Sequence, residues 1–433
     1  MKTLYLSGAA LLALIAAPAF AQVAPPTTPA DAAPAAEEAT PGEIIVTAQK
    51  RSERLQDVPV AVSVISGDAL AAQGKVSLEG AQYLVPTLNF LKSGTTLNQS
   101  LFLRGVGTAT FSIAGEPSVS TVVDGVVFAR AGEAFGDLVD IDQLEVLRGP
   151  QGTLFGKNAS AGVINIISKK PTRDLGGYVE AGFFTKSEFR GRAVLNLPLG
   201  DNVRSRVTGF YNSYDGNIYN TAVNKTVNGF KHYGGRLQIE ADPTPGLKLA
   251  FIADYHRNDD NCCAEVIATG TPVVSGTTVT GFTTTNPAFT VLPTPQGDKS
   301  RQIAQNLITA TKETGYGFSL QGDLDIGDHT LTSITAYRDY KNTEIRDGDF
   351  LPNAYVGFNQ LHDFGPQTGH TFSQEIRIAS PAKQFVTYVL GAYYSRAVSE
   401  RIFTRNDVVC NTTPGTTPSP LVPCGSAGAP AST

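Results

Sequence analysis

Beyond residue 171, polar and apolar positions alternate with period two. Nine such runs of nine to thirteen residues follow one another, at 175–185, 189–199, 203–214, 233–241, 246–256, 314–326, 329–341, 371–380 and 385–397. Leu237, Ile239 and Ala241 interleave with Gln238 and Glu240, and Phe318, Leu320 and Leu324 with Ser319, Gln321, Asp323 and Asp325. Successive side chains of a strand point to opposite faces, so each run has one greasy and one polar face. After the third run the connections alternate between long, at 215–232, 257–313 and 342–370, and short, such as Asp242–Pro245, Gly327–Asp328 and 381–384. A transmembrane β-barrel has that asymmetry, with short periplasmic turns, long extracellular loops, a lipid-facing apolar band and a polar lumen. A soluble sandwich accounts for the alternation but not for the rhythm of the connections.

Upstream the pattern differs. Val58 to Pro171 reads as one small α+β domain: a strand over Val60–Ile65, a helix start at Ser66, a second helix near Leu78–Leu84, and strands at Val119–Phe128 and Gln143–Leu147 with Gly and Asp at the bends. Before it stands Glu43-Ile44-Ile45-Val46-Thr47-Ala48, a short β-prone hexamer expected to be exposed and in want of a sheet edge. Residues 22–42, rich in Ala and Pro, lack the surface for a core and read as a flexible linker. Residues 1–21 carry Lys2, an apolar stretch and Ala19-Phe20-Ala21, the layout of a signal peptide.

Composition narrows the class. Charged residues are 17% of the 433, against about 25% in ordinary soluble domains, and Gly 43 and Pro 26 favour strands and turns. A formal net charge of -5 offers no basic field for a nucleic-acid backbone. Mean hydropathy of -0.06 excludes a bundle of membrane helices. Four cysteines, Cys262, Cys263, Cys410 and Cys424, fall in a compartment that tolerates disulfides. Pairing Cys410 with Cys424 would staple a Thr/Pro-rich loop and leave Cys262 and Cys263 bridged or free; four cysteines allow three pairings, and the sequence does not choose among them.

Four stretches carry a family resemblance: EIIVTAQKRSERLQDVPVAVSVISGDAL (43–70), LRGVG (103–107), VDGVVFAR (123–130) and IDQLEVLRGPQGTLFGKNASAGVINIISKKP (141–171). In order and spacing they resemble the plug of TonB-dependent outer-membrane receptors of the iron-siderophore type. The resemblance implies an N-terminal α+β plug, residues 52–171, followed by an all-β antiparallel transmembrane barrel from 172. It also implies an outer-membrane location in a Gram-negative bacterium, surrounding outer-membrane lipid, a monomeric barrel, and import driven by TonB and its inner-membrane proton-driven complex. Nine strands do not close a single-chain bacterial barrel, where counts are even, and 412–433 reads as loop. The sequence is therefore expected to be the N-terminal portion of a longer protein, with about nine of roughly 22 strands.

The same resemblance assigns residues. Glu43, Ile44, Ile45, Val46, Thr47 and Ala48 occupy the place of the TonB box, where an extended segment can be gripped by strand addition. Arg104 and Arg148 stand where family arginines latch the plug to barrel carboxylates, a task suited to the bidentate guanidinium. Glu145 is the candidate to orient Arg148, and Glu375 in FSQEIRIAS the candidate wall partner. Ligand contacts are expected on the plug apices near 92–98, 108–117 and 129–135, with Phe111, Glu116, Arg130 and Phe135 as candidates.

Catalytic chemistry finds no purchase. GTLFGKN (152–158) fails as a phosphate loop, with Gln151 and Asn158 where Gly and Ser or Thr are required, and GVGTAT lacks the third glycine of a dinucleotide site. HExxH, GxSxG and Cys-x-x-Cys are absent and five histidines are scattered, so neither an enzyme nor a cofactor or metal site is expected. A ferric siderophore is the default substrate, with cobalamin, haem, oligosaccharide or aromatic ligands, or a passive or adhesive barrel, as alternatives. A signalling receptor would need a further periplasmic domain before the box, where only residues 22–42 lie.

Overall fold

The computed structural model describes residues 43–432 except 75–76, 92–98, 110–114, 131, 135–136, 269–270, 276–277, 284–286, 383, 411–419 and 426–430. Phe111, Phe135, residues 1–42 and the apex at 92–98 lie outside the described residues.

The plug is built from β1 (Ile45–Val46), β2 (Glu53–Arg54), β3 (Val62–Ser66), α1 (Gly67–Ala72), α2 (Leu78–Ala81), β4 (Leu88–Leu91), β5 (Ser100–Leu103), β6 (Val106–Gly107), β7 (Val119–Val123), β8 (Val126–Val127), β9 (Ile141–Arg148), α3 (Gly152–Phe155) and β10 (Gly162–Ser168). Both first helices start on serine caps: Ser66 Oγ accepts from Ala69 N at 3.2 Å and Ser77 Oγ from Gly80 N at 3.2 Å. The central sheet runs β3-β9-β10-β7-β8, with β10 parallel to β7 and antiparallel to β9. Its β7–β8 hairpin closes on Asp124 and Gly125, both at positive φ, the requirement of a tight two-residue turn. Gly162 is obligatory for a different reason: a Cβ there would meet the Leu147 carbonyl oxygen at 2.3 Å.

Alternation along the sheet separates two apolar layers. Leu144, Val146 and Ile164 pack with Leu70, Leu78, Leu88 and Leu103 on one side. Leu147 and Val163 pack with Val46, Ala48, Val58 and Phe155 on the other. Glu145 and Asn165, directly paired across β9 and β10, share that second face, and they fix where the hexamer lies.

The barrel wall contains β11 (Gly176–Phe184), β12 (Glu188–Pro198), β13 (Val203–Tyr214), β16 (Phe230–Thr244), β17 (Leu247–Asp260), β21 (Ala310–Ile326), β22 (His329–Asp347), β23 (Gln360–Ala379), β24 (Val389–Arg401), β25 (Thr404–Cys410) and β26 (Ala431–Ser432) in one antiparallel sheet. The loops between them hold β14 (Ile218–Asn220), β15 (Lys225–Val227), β18 (Thr271–Ser275), β19 (Thr278–Thr283) and β20 (Gln302–Ile303). All nine alternating runs are strands, but several extend further at the long-loop end, β22 to Asp347 and β23 back to Gln360. There the outward face mixes polar and apolar residues, such as Thr343 and Ile345, while the hydrogen-bond ladder continues, so hydrophobic period undercounts strand length. Outward residues include Val207, Phe318, Leu320 and Ile376, all well exposed, and inward ones include Arg206, Gln238, Asn258 and Asn342, all buried.

Two loop regions have apolar centres of their own. Ile218, Val227, Ala264 and Ile303 form one, and Ala288, Leu351, Tyr355 and Leu421 another. Disulfides join Cys262 to Cys263 and Cys410 to Cys424.

Candidate functional site: the hexamer and the contacts between plug and wall

The hexamer is not the exposed strand expected of it. Ile45 and Val46 pair antiparallel with Arg54 and Glu53, and Val46 and Ala48 are fully buried against Leu147, Phe155 and Val163. Burying one valine side chain contributes about 1.5–3 kcal/mol, so the segment is held down before any polar contact forms. The polar contacts converge on Glu145, itself 0% exposed. Its Oε1 accepts from Thr47 N at 2.7 Å and from Gln143 Nε2 at 2.8 Å, and its Oε2 accepts from Asn165 Nδ2 at 2.9 Å. Gln143 Nε2 also donates to the Ile45 carbonyl at 3.0 Å, and Asn165 Nδ2 to Thr47 Oγ1 at 3.0 Å. Burial raises the Glu145 carboxyl above the usual glutamate range, against the lowering pull of these donors. The hexamer thus closes over a buried carboxylate at the middle of the plug sheet.

The expected latch is corrected. Glu145 cannot orient Arg148, because residues three apart on β9 face opposite sides of the sheet. Arg148 Nε donates instead to the Ala61 carbonyl at 3.4 Å, and exposed Arg104 occupies a turn at φ 52, its N–H donating to the Thr87 carbonyl at 2.9 Å. Glu375 does join plug to wall, but through Lys50, whose Nζ lies 3.3 Å from Oε2, and not through either arginine. Lys50 Nζ also sits 4.6 Å from the Phe155 ring centroid, and Arg377 holds the other Glu375 oxygen at 2.5 Å. Burial lowers the Lys50 pKa, with Glu375 pulling it back up.

The strongest contacts between plug and wall come from the segment before β9, which the sequence reading missed. Asp140, at φ 54 and with its side chain 0% exposed, accepts both arms of Arg206 at 2.7 and 2.6 Å and Thr208 Oγ1 at 2.8 Å. Arg236 donates to the Val139 carbonyl at 2.7 Å. Asp137 accepts from Asn212 at 2.9 Å and lies 2.8 Å from His232 Nδ1, whose Nε2 meets Asp260 at 2.7 Å. The available signal was the acidic run Asp137-Leu138-Val139-Asp140 beside inward positions Arg206 and Thr208 on β13.

A cleft with a cavity of about 130 Å³ separates the β7–β8 hairpin from the wall, lined among others by Phe128, Asp137, Arg236, Asp254, His256 and Arg338. Arg338 binds Asp254 with both arms at 3.0 and 2.7 Å and lies 4.3 Å over the Phe128 ring. Glu313 collects His256, Asn258 and Tyr340 at 2.9, 3.2 and 3.2 Å. Facing them from the plug, Glu133 is pushed up to about 7 by burial, against the pull of Arg338 and Arg130. Of the expected ligand contacts, Arg130 reaches the wall at Ser399 Oγ, 2.8 Å away, while Glu116 forms an exposed ion pair with Lys157 at 2.5 Å. Asp347, Asp349 and His362 converge at the long-loop ends of β22 and β23, but the carboxylates accept backbone N–H groups of Phe350, Leu351 and Leu361 and His362 meets Asn306, which makes them a clasp between the two strand ends.

An α+β domain tied by buried ion pairs to the polar face of an antiparallel, apolar-backed wall defines a plug-and-barrel fold. Residues 54–163 match the family model of the TonB-dependent receptor plug domain. Residues 54–163 thus carry the plug domain of TonB-dependent receptors, the part of the chain that the family model covers. The chain is 34% identical over 181 residues to the pesticin receptor of Yersinia pestis, across 41% of this chain and 26% of that one. It is 28% identical over 222 residues to the ferripyoverdine receptor of Pseudomonas aeruginosa, across 51% and 26%. The match thus spans about a quarter of each curated relative. In fold, it resembles the crystal structure of the ferric yersiniabactin uptake receptor from Yersinia pestis (TM-score 0.66, 22% identity, 81% of this chain and 51% of that one). It also resembles the ferric-catecholate import receptor of Escherichia coli K12 (TM-score 0.61, 17% identity, 86% and 52%).

Proposed function

We propose that the chain serves TonB-dependent import of a ferric siderophore across the outer membrane, with residues 43–48 as the segment TonB grips. Relatives named as ferripyoverdine and catecholate siderophore receptors support the substrate class. The observation that carries the mechanism is the buried Glu145, which couples the hexamer by hydrogen bonds to the two central plug strands. A pull on Thr47 is a pull on β9 and β10. The same pull strains Lys50 against Glu375, an ion pair between this segment and the wall. Asp140 with Arg206 holds the other end of β9, so force opens the plug between a moving edge and a fixed one.

The test is uptake of iron-55 as ferric yersiniabactin, ferripyoverdine or a ferric catecholate, in cells with the gene intact, deleted, or carrying Ile45→Pro. Proline removes a backbone donor and resists strand pairing. Uptake lost in both altered strains, at unchanged surface level of the Ile45→Pro protein, is expected. Normal iron uptake by the deletion strain refutes the siderophore assignment, and loss in the deletion alone refutes the role of the hexamer.

A further inference from the structure

Of the charged side chains that line the cleft beside the β7–β8 hairpin, all but one are engaged by their own partners. Asp254 takes both arms of Arg338, and Asp124, in the hairpin turn, accepts from Ser168 N at 2.8 Å and Ser168 Oγ at 2.6 Å. Asp137 holds Asn212 and His232, and His256 is taken by Glu313. Arg236 is the exception. Its Nη2 meets only uncharged oxygens, the carbonyls of Val139 at 2.7 Å and Asp140 at 3.2 Å, and its Nε is buried with no hydrogen-bond partner. Among the described residues it forms no ion pair, unlike Arg204, Arg206, Arg338, Arg377 and Arg401 on the same face of the wall. The Asp140 carboxylate is turned to Arg206 and Thr208. Two carbonyls need a donor, which a neutral amide would supply; they do not need a charge. A half-buried guanidinium without a counter-charge carries a desolvation cost that nothing in the fold repays.

The surroundings define a guest that would repay it. Val123, Val126, Phe128, Phe210 and Ile252 make much of the lining apolar, which strengthens a charge pair formed inside. Asp137 and Asp254 line the same cleft, so a doubly charged anion is repelled where a singly charged one is matched. A carboxylate has the single charge and the planar pair of oxygens that a guanidinium fork binds. A cavity of about 130 Å³ admits one small acid group and falls well short of the roughly 300–1,000 Å³ taken by a whole drug-sized ligand. The hairpin over this cleft makes no ion pair or hydrogen bond to the wall among the described residues. Val126 rests on Ile334 and Ala336, and Phe128 on Arg338, whereas Asp140 and Arg130 pin the plug to either side. The hairpin sector can therefore yield without breaking a single ion pair, and Arg236 stands beside it near the middle of β16.

We propose that the cleft is a carboxylate-binding site centred on Arg236, and that it receives the acid group of a ferric siderophore as the ligand passes between hairpin and wall. The second half rests on the proposed import; the first does not. The receptor, purified in mild detergent with nitrogen-15-labelled arginine, is titrated with sodium acetate, and the Nε–H signal that Arg236→Lys removes is followed by NMR. The expected result is a saturable shift, half complete at on the order of 1–10 mM, that acetamide and sodium chloride do not produce. An equal shift with either control overturns the site, and so, with no variant required, does an acetate titration that moves no arginine Nε–H signal. Iron-55 uptake then separates a free acid from an acid group in transit. Arg236→Gln, which keeps a donor for the two carbonyls, should lower the maximal rate about five-fold at equal surface level, with half-saturation changed by less than about two-fold, and Arg236→Lys should restore most of the rate. An unchanged rate in Arg236→Gln, or import confined to ligands without a free carboxylate, overturns the transit role. If the wild type imports no ferric siderophore, the proposed import fails, and the acetate titration alone decides for or against the site.

Discussion

Replacing Glu145 by glutamine should release the hexamer without unfolding the plug. The carboxylate takes Thr47 N and Gln143 Nε2 on one oxygen and Asn165 Nδ2 on the other. Glutamine has one carbonyl oxygen and one amide nitrogen, so whichever way it turns, at least one of these buried donors faces another donor. An unsatisfied buried donor costs about 1–3 kcal/mol. Taking about 2 kcal/mol, the opening equilibrium of the segment should rise roughly thirty-fold. Hydrogen exchange at the Thr47 amide reads this directly: about thirty-fold faster in the variant, with amides of β7 unchanged. The pH dependence gives a second check. Because burial raises the Glu145 pKa in the folded state, its contribution is present below the ordinary glutamate range and is lost as pH rises through the raised value. The Gln variant lacks that slope. Thr47 exchange within three-fold of wild type, or acceleration spread evenly through the sheet, would refute the reasoning.

Glu133 offers a comparable test at the other end of the plug. Its folded pKa of about 7 lies above the unfolded value, so its stabilising contribution is complete below about pH 4.5 and fades as pH rises through 7. Thermal scans should find Glu133→Gln more stable than wild type at pH 8.5, by on the order of 2–3 kcal/mol, and little different at pH 4.5. Arg206→Ala strands the buried Asp140 carboxylate and should destabilise the seated plug by about 3–5 kcal/mol, with partial recovery in the Asp140→Asn, Arg206→Gln double variant when both are followed by thermal unfolding. On the lipid face, Leu320→Arg should lower outer-membrane abundance sharply, since arginine at mid-bilayer costs about 2–4 kcal/mol there, whereas Gln321→Arg on the lumen face should not.

What the sequence disclosed depends on how local each signal is. Period-two alternation found every long wall strand, because lipid and lumen impose opposite demands on adjacent residues. It missed the tops of β22 and β23, where the outward face mixes polar and apolar residues and the alternation lapses. Motif order located the plug, but the pairings proposed for Glu145 and Glu375 do not form, since an arginine in a motif says nothing about which carboxylate the fold will bring to it. Arg104 ended in a turn and Arg148 at the end of β9, each bonded within the plug, while Lys50, Asp137 and Asp140 reached the wall. Strand parity alone rejects the pairing of Glu145 with Arg148. The burial of Val46 and Ala48 was hidden for a related reason: a hexamer with no sequence neighbour to pack on looks free until the sheet face that receives it is known.

The long connections, with their private apolar centres around Ile218 and Tyr355 and the bridge between Cys410 and Cys424, are folded pieces and not mere spans. Substitution inside them need not disturb a single lumen ion pair, and the wall beneath need not change when they do. If the proposed function holds, ligand preference can drift among descendants of this chain while the segment proposed for gripping and the contacts between plug and wall are kept under separate selection. Whole loops exchanged between related receptors should carry recognition with them, leaving the engine below intact.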